Sequence, residues 1–166
     1  MDNEQLSQRD IRSLIFHLLY AMESYDYEVS LNSIIELFNA GYELSIDPQD
    51  AFVKKTQAII DERENLDKEI QPLLSNWRLD RIGCITRLII RMALWELKYT
   101  DTPASIIINE AIELAKCFAE QDAYKFVNGV LDQWVASNRP EEKIARSSSE
   151  EHEEEDDEDD DKDDED

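Results

Sequence analysis

Side chains of the kind that bind single-stranded RNA recur along the first apolar segment of the chain. At the 100° per residue of an α-helix, they fall within roughly 60° of one another: Arg9, Arg12, Phe16 and Tyr20. Guanidinium groups bind phosphates, and flat rings stack on unpaired bases. The same spacing is typical of a helix that packs on two sides and buries its aromatic residues. The pattern therefore predicts either an RNA-binding surface or a doubly packed helix.

Side chains suited to catalysis are few. The two histidines, His17 and His152, cannot supply a histidine-based triad or a metal cluster. Glu110 and Glu113 have the spacing of two carboxylates on one helix face, but nothing nearby in the sequence would shift their pKa values. There is no Gly-rich phosphate-binding loop and no G-x-S-x-G motif. We therefore predict a binding protein with no catalytic residue, cofactor or metal.

Composition favours one helical domain. The chain has 166 residues with only 3 glycines and 4 prolines, too few for the many turns of a sandwich or barrel. Cys84 and Cys117 lie far apart and form no C-x-x-C motif. The sequence shows neither a secretion leader nor an apolar run long enough to span a membrane. We therefore expect reduced, buried thiols in a cytoplasmic protein.

The net charge of −23 is unevenly distributed. Residues 141–166 contain 17 acids and 3 bases, for a charge of −14, whereas residues 1–140 carry −9. The acidic tail has almost nothing to bury, so we predict a helical domain over 1–140 and a disordered tail over 141–166. Because the body is also acidic, any RNA contact requires a local patch or a basic partner.

Apolar residues recur at helical spacing through the first two thirds of the chain. Ser7 and Asp10 have the spacing of a capping box at the start of the first helix. Gly41 suits the end of a second helix, and Asp47-Pro48 the start of a third. The most apolar helix is predicted from about residue 79 to 99, at the centre of the core, with its basic residues solvated or ion-paired.

Two further helices are predicted near the C-terminus. One follows Pro103 and has Phe118 in its buried stripe, and Asp122 caps the other. Within the last helix, Asn128-Gly129 is a strong hairpin signal. The apolar residues around it have helical rather than alternating spacing, so we predict helix. A helical glycine is unfavourable, and we expect a neighbouring helix to approach closely at Gly129.

Several of these segments resemble a known family. "INEAIELAK" (Ile108–Lys116), followed by "KFVNGVLD" (Lys125–Asp132), resembles the C-terminal signature of the transcription antitermination factor NusB family. "RMALWEL" (Arg91–Leu97) is similar to the family's LR-(I/L)-A-x-(Y/W)-E-L segment, and "HLLYAME" (His17–Glu23) resembles its Q-x-L-Y motif. The likeness runs in the family's order over about residues 7–135.

The resemblance implies an all-α fold of about seven helices in two packed sub-bundles. It also implies partners: NusB-like proteins pair with the ribosomal protein NusE and bind boxA RNA in nascent transcripts. They act in the elongating RNA polymerase complex with other antitermination factors, notably on rRNA operons. No membrane is involved.

The resemblance also implies a set of RNA-binding residues. Matched position by position, they are Arg9, Arg12, Tyr20, Asp122, Lys125 and Phe126. Asp10 stands where the family usually has an arginine, which would weaken phosphate binding. Phe16 is expected in the core. The NusE-facing side is expected to include parts of the helix over 81–95 and neighbouring segments.

Two other functions remain open at this stage. The chain could be a scaffold that binds the ribosomal protein without RNA specificity, which Asp10 and the acidic body would favour. NusB-like domains also occur fused to rRNA cytosine methyltransferases, but this chain has no room for an AdoMet-binding domain. The acidic tail could compete with RNA for the first-helix arginines or serve only solubility.

Overall fold

The chain folds into helices throughout the part that the structure describes, residues 6–75 and 77–142 of a computed structural model. These residues contain no strand and form six α-helices: α1 (Gln8–Ser24), α2 (Leu31–Tyr42), α3 (Ala51–Ile70), α4 (Cys84–Tyr99), α5 (Ala104–Phe118) and α6 (Ala123–Asn138). Two short 3-10 helices, Gln71–Leu74 and Leu79–Arg81, connect α3 to α4, and a further helical turn begins at Pro140. The predicted all-α fold of about seven helices is confirmed.

Helix α4 is the centre of the molecule, as predicted. It packs against α1 and α3 on one side and against α5 and α6 on the other. Most of its residues are buried, because its apolar side chains nearly encircle it. The first three helices and the last three thus form two sub-bundles that share one hydrophobic core. None of the described helices is long and apolar enough to cross a membrane.

The start of α1 has the predicted capping box. The Ser7 hydroxyl accepts a hydrogen bond from the Asp10 amide at 3.1 Å, and the Asp10 carboxylate accepts one from the Ser7 amide at 3.0 Å. These bonds satisfy two backbone donors that a helix start leaves open. The Ser7 hydroxyl also donates to the Asp10 carboxylate at 2.6 Å, and this bond, with the one from the Ser7 amide, lowers the pKa of Asp10.

The predicted boundaries of α2 and α3 are wrong by a few residues. Helix α2 continues through Gly41 and ends where Glu43 adopts a left-handed conformation, with φ of 53°. Asp47-Pro48 forms a turn before α3, in which Asp47 accepts a hydrogen bond from the Gln49 amide at 2.8 Å. Asp50, three residues later, is the residue that precedes the first turn of α3.

Helix α4 begins later than predicted, at Cys84 rather than near residue 79. Leu79–Arg81 is a separate 3-10 turn, and Ile82 then takes extended backbone angles, with φ of −82° and ψ of 140°. Apolar spacing continues through this break, because Leu79 and Ile82 still pack on the core. Hydrophobic periodicity alone therefore cannot reveal it.

Basic side chains of α4 are ion-paired, as predicted. Arg91 donates to both oxygens of Asp67 on α3 at 2.6 Å, and Arg87 pairs with Glu23 on α1. Burial alone would raise the pKa of Glu23, but the hydrogen bond from Tyr27 and the two arginine charges lower it overall. This network connects three helices across the two sub-bundles.

The C-terminal end of the described chain is bound to the loop between α4 and α5. Arg139 donates to the carbonyl oxygens of Leu97 at 2.5 Å, Thr100 at 2.9 Å and Thr102 at 3.1 Å. Glu142 accepts a hydrogen bond from the Ala104 amide at 2.5 Å, at the start of α5. Glu141 and Glu142, which belong to the tail predicted to be disordered, thus lie in a helical turn, and residues 143–166 of that tail are outside the described part.

Both cysteines are free, but neither is fully buried as expected. Cys84 is half-buried at the start of α4, and Cys117 is exposed in the last turn of α5. The prediction of buried thiols is therefore wrong for Cys117. Its position on the outward side of α5 leaves no neighbouring helix to cover it.

The Asn128-Gly129 pair lies inside α6, so the helical prediction is confirmed. The expected close approach at Gly129 is wrong. Gly129 is exposed, and a Cβ atom built on it would meet nothing within 4 Å. The glycine therefore has no packing role among the described residues.

Candidate nucleic-acid interface

The two arginines predicted to bind RNA have different environments. Arg12 is only 8% exposed, and its Nε and Nη2 atoms donate to Glu96 of α4 at 3.0 and 2.9 Å. Glu96 is fully buried, and the Lys55 ammonium lies 3.8 Å from its carboxylate as a second cation. Arg12 thus forms an internal ion pair between α1 and α4. This burial contradicts its predicted role as an RNA contact.

Arg9 lies one turn earlier and reaches the surface. Its side chain is 67% exposed, and Nε and Nη2 donate to the two carboxylate oxygens of Glu110 at 3.0 and 2.9 Å. Glu110 lies on α5 and is 17% exposed. The hydrogen bond from Arg9 lowers the pKa of Glu110, so a neighbour does perturb this carboxyl group. The direction keeps it ionised, which does not suit a general acid.

An aromatic cluster lies farther along the same two helices and consists of Phe16, His17, Tyr20 and Phe118. The Phe16 and Phe118 rings stack with centroids 5.1 Å apart, and His17 meets Phe118 edge-on at 5.1 Å. Phe16 is buried, as predicted. Tyr20 is 45% exposed and Phe118 39% exposed, so these two present ring surface to solvent.

Phe118 is a surface residue that the sequence pattern places in the core. It shares helical spacing with Leu114 and other buried residues of α5, which is why the pattern predicts burial. However, it is the last residue of its helix, where the neighbouring helices no longer cover it. The only sequence signal for exposure is this terminal position.

The corner between α5 and α6 holds the other predicted RNA-binding residues. Asp122 takes the N-cap position of α6 with a left-handed conformation, φ of 64°, and its side chain makes no capping hydrogen bond. Its carboxylate instead lies 3.3 Å from the Lys125 ammonium. Lys125 is exposed and its ammonium lies 5.8 Å from the Tyr124 ring centroid. The position of Asp122 is as predicted, whereas its capping bond is not.

Phe126 is half-buried and forms one wall of a cleft of about 550 Å³. The opposite wall comes from the segment before α4 and from its first turn, including Trp77, Arg81 and Thr86. Trp77 is 62% exposed. The cleft therefore places two aromatic side chains and an arginine beside Asp122.

Little of the segment predicted to face NusE reaches the surface. Residues 81–87 are exposed or half-buried apart from Thr86, whereas residues 88–94 are buried. Within residues 81–95, the N-terminal end of α4 therefore offers most of the accessible surface, and it borders the same cleft.

The exposed groups of this region suit binding rather than catalysis. Accessible rings, one lysine and one arginine can stack on bases and neutralise phosphates. The described residues contain no group of three or more His, Cys, Asp or Glu side chains that could hold a metal ion.

Comparisons with known proteins place the chain in a family. The NusB family model matches residues 9–136. The Transcription antitermination protein NusB of Staphylococcus haemolyticus (strain JCSC1435) is 39% identical over 128 residues, which cover 76% of this chain and 97% of that protein. The structure of T. maritima NusB has a TM-score of 0.69 and 28% identity, with 84% of this chain and 98% of that chain covered.

A structure of the antitermination factors NusB and NusE in complex with dsRNA has a TM-score of 0.62. It is 22% identical and covers 76% of this chain and 93% of that one. At this identity the similarity supports the fold. With the family model matching most of the chain and a relative above 30% identity aligned over nearly its whole length, this chain belongs to the NusB family.

Proposed function

We propose that this chain is a transcription antitermination factor that binds boxA RNA together with the ribosomal protein NusE. It promotes processive transcription by the elongating RNA polymerase complex with other antitermination factors, notably on rRNA operons. It acts in the cytoplasm, by binding rather than catalysis, and without a cofactor.

The observation that carries this proposal is the position of the exposed groups in a NusB family member. The aromatic cluster and Lys125 lie near the junction of α5 and α6, and Tyr20 and Lys125 fall within segments that resemble the family. In the similar complex structure, the antitermination factors NusB and NusE are in complex with dsRNA.

We propose that the RNA-binding surface comprises Arg9, Tyr20, Phe118 and the α6 start with Asp122, Lys125 and Phe126. Lys125 and Arg9 supply the phosphate contacts, and the exposed rings stack on bases. Asp122 pairs with Lys125 instead of contacting phosphate. Arg12 holds α1 against α4 and supports this surface from inside.

NusE is proposed to bind beside the RNA, at the N-terminal end of α4. This end and the segment before it offer Trp77 and Arg81 at the surface. A basic partner bound here adds positive charge next to an acidic body. Complementary charge increases the rate at which the two proteins associate. RNA affinity should therefore depend strongly on NusE.

Fluorescence anisotropy with labelled boxA RNA and a scrambled RNA, with and without NusE, tests the proposal. We expect boxA preference, strongest with NusE. Lys125→Ala and Phe126→Ala should each weaken binding, the aromatic substitution by roughly 1–3 kcal/mol if the ring stacks on a base. The matched controls are exposed residues elsewhere, Lys54→Ala on α3 and Tyr42→Ala on α2. Absence of boxA preference in both conditions would refute the proposal.

A scaffold that binds NusE without RNA specificity is a second candidate. The burial of Arg12 favours it, because only one arginine of the N-terminal motif then remains accessible. Asp10, exposed beside Arg9, adds local negative charge. A normal complex with NusE that binds boxA no more tightly than NusE alone would support this candidate.

A further inference from the structure

We propose that Glu110 competes with RNA phosphate for Arg9 and thereby limits the RNA affinity of α1. This inference rests on the proposed function and adds a residue that none of the RNA-binding predictions includes. Glu110 thus acts as an internal mimic of the phosphate group.

The geometry of the Arg9–Glu110 pair is that of a phosphate contact. A guanidinium binds carboxylate and phosphate through the same pairs of N–H groups. Both oxygens of Glu110 accept from Arg9, one from Nε and the other from Nη2. The second bidentate edge of the guanidinium also uses Nη2. That edge uses Nη1–H and the other N–H of Nη2, so a phosphate there binds beside the Glu110 charge, whereas a phosphate on the Nε–Nη2 edge must displace Glu110.

The two partners differ in accessibility. Arg9 is 67% exposed, so RNA can reach it, whereas Glu110 is 17% exposed and lies in the middle of α5. The acid therefore stays in place when RNA approaches, and its negative charge repels the incoming phosphate. The lowered pKa of Glu110 keeps that charge present at neutral pH.

Arg9 has no equivalent nearby on α1. Arg12 is held inside the molecule by Glu96, and the residue between them in the family motif is Asp10. Arg9 is therefore the one exposed arginine or lysine among the residues of α1. The occupancy of Arg9 by Glu110 then directly affects binding.

The decisive substitution is Glu110→Gln, which retains the shape and removes the charge. Its matched control is Glu113→Gln, one turn later on α5, where an exposed glutamate pairs with Lys116 at 3.7 Å. Both remove one negative charge from the same helix. An exposed ion pair corresponds to about a 1.5- to 5-fold change in equilibrium constant. We therefore expect Glu110→Gln to tighten RNA binding by about that factor, and Glu113→Gln to have a smaller effect.

The double variant Arg9→Gln/Glu110→Gln isolates the mechanism. If Glu110 acts through Arg9, the gain from Glu110→Gln disappears in the Arg9→Gln background. A gain that persists without Arg9, or one that equals the gain in Glu113→Gln, would overturn the inference. So would weaker binding by Glu110→Gln, which would mean that Glu110 orients Arg9 for RNA. Circular dichroism and thermal unfolding establish that each variant is folded.

Measuring every variant on boxA and scrambled RNA separates this inference from the proposed function. Phosphate contacts carry no sequence information, so the gain should be similar on both RNAs. Preference of the unmodified chain for boxA tests the proposed function. The cycle of Arg9 and Glu110 substitutions tests the competition.

Discussion

Arg9 and Arg12 lie one helical turn apart and have opposite environments, one exposed and the other buried. Both fall on one side of α1, and helical spacing correctly predicts their direction. It cannot predict how deeply each side chain is buried, because this depends on the partner. Arg12 binds Glu96 of α4, and Arg9 binds Glu110 of α5. These partners are 84 and 101 residues away in the chain, so only the fold reveals them.

Removing Arg12 should damage the fold more than the RNA surface. Arg12→Ala leaves the Glu96 carboxylate buried with only Lys55 at 3.8 Å as a nearby cation. Removing one partner of a buried pair costs about 3–5 kcal/mol. We expect the free energy of unfolding, measured with urea, to fall by about the lower of these values. Arg9→Ala, the matched control, should leave the urea midpoint unchanged, and an equal loss in both variants would contradict the assigned roles.

Glu23 should contribute to the loss of stability in acid. Its pKa is lower in the folded protein than the ordinary value of 4.5. The folded state therefore binds fewer protons than the unfolded state in that range, and stability is retained above about pH 4.5. It is lost as the pH falls through the folded-state pKa.

The substitution Glu23→Gln tests this pH dependence. It should lower stability at neutral pH, because Arg87 and Arg91 lose their shared carboxylate. It should also flatten the dependence of the unfolding free energy on pH below about 4.5. Urea unfolding between pH 3 and 7 measures both effects. An unchanged slope would show that other carboxyl groups control acid unfolding.

At the scale of the helices, the sequence predicts the middle of each helix more reliably than the residues at which it begins and ends. Period and apolar content correctly predict α4 as the core helix, because burial on all sides requires such a composition. Its start at Cys84 depends on the extended angles of Ile82. The end of α2 depends likewise on the left-handed Glu43, a residue type with no special preference for that conformation.

Gly129 gives a test at this scale. The glycine is exposed within α6, its φ is not positive, and an added Cβ would meet nothing within 4 Å. Gly129→Ala should therefore stabilise the chain by up to about 1 kcal/mol, the difference in helix propensity. Thermal and urea unfolding measure this gain.

The matched control is Gly41→Ala, which also enters open space but lies near the end of α2. A residue with higher helix propensity stabilises a frayed helix end less than a helix interior. The gain in stability from Gly41→Ala should therefore be smaller than that from Gly129→Ala. Destabilisation by Gly129→Ala would reinstate a packing role for the glycine. A stable variant with weaker NusE or RNA binding would place Gly129 at a partner interface.

At the scale of the whole molecule, motif resemblance predicts what periodicity cannot. The arrangement of two sub-bundles follows from the family signature, since helix–helix pairing is not encoded in any single helix. The same resemblance identified Lys125 and Phe126, whose exposure is compatible with RNA binding. It does not identify Phe118 and Glu110 as candidate site residues, because only the fold reveals their contacts with α1.

The acidic tail can be tested separately from the fold if the cut is made after Glu142. Such a truncation retains the bonds of Arg139 and Glu142 to the α4–α5 loop. If the tail competes with RNA for the basic groups, the truncated chain should bind random RNA more tightly at low salt, and the difference should fade as salt increases. Equal affinity of both chains would indicate a solubilising role.

Cutting after Asn138 is the contrasting control. This cut removes Arg139 and Glu142, so three carbonyl oxygens and the Ala104 amide lose their partners. We expect a lower unfolding midpoint for this shorter chain only. If both truncations were equally stable, the contacts of Arg139 and Glu142 would contribute little.

The attachment of Glu142 at the start of α5 also determines how the protein can be labelled. The 15 residues of α5 separate that point from the α5–α6 corner by about 22 Å. A dye, biotin or affinity tag added after the C-terminal tail would therefore be joined to the body at the end of α5 away from the α5–α6 corner. A tag at the N-terminus would instead precede Ser7 by only six residues. Immobilisation through the C-terminus is thus the arrangement that leaves the RNA-binding groups accessible to a ligand in solution.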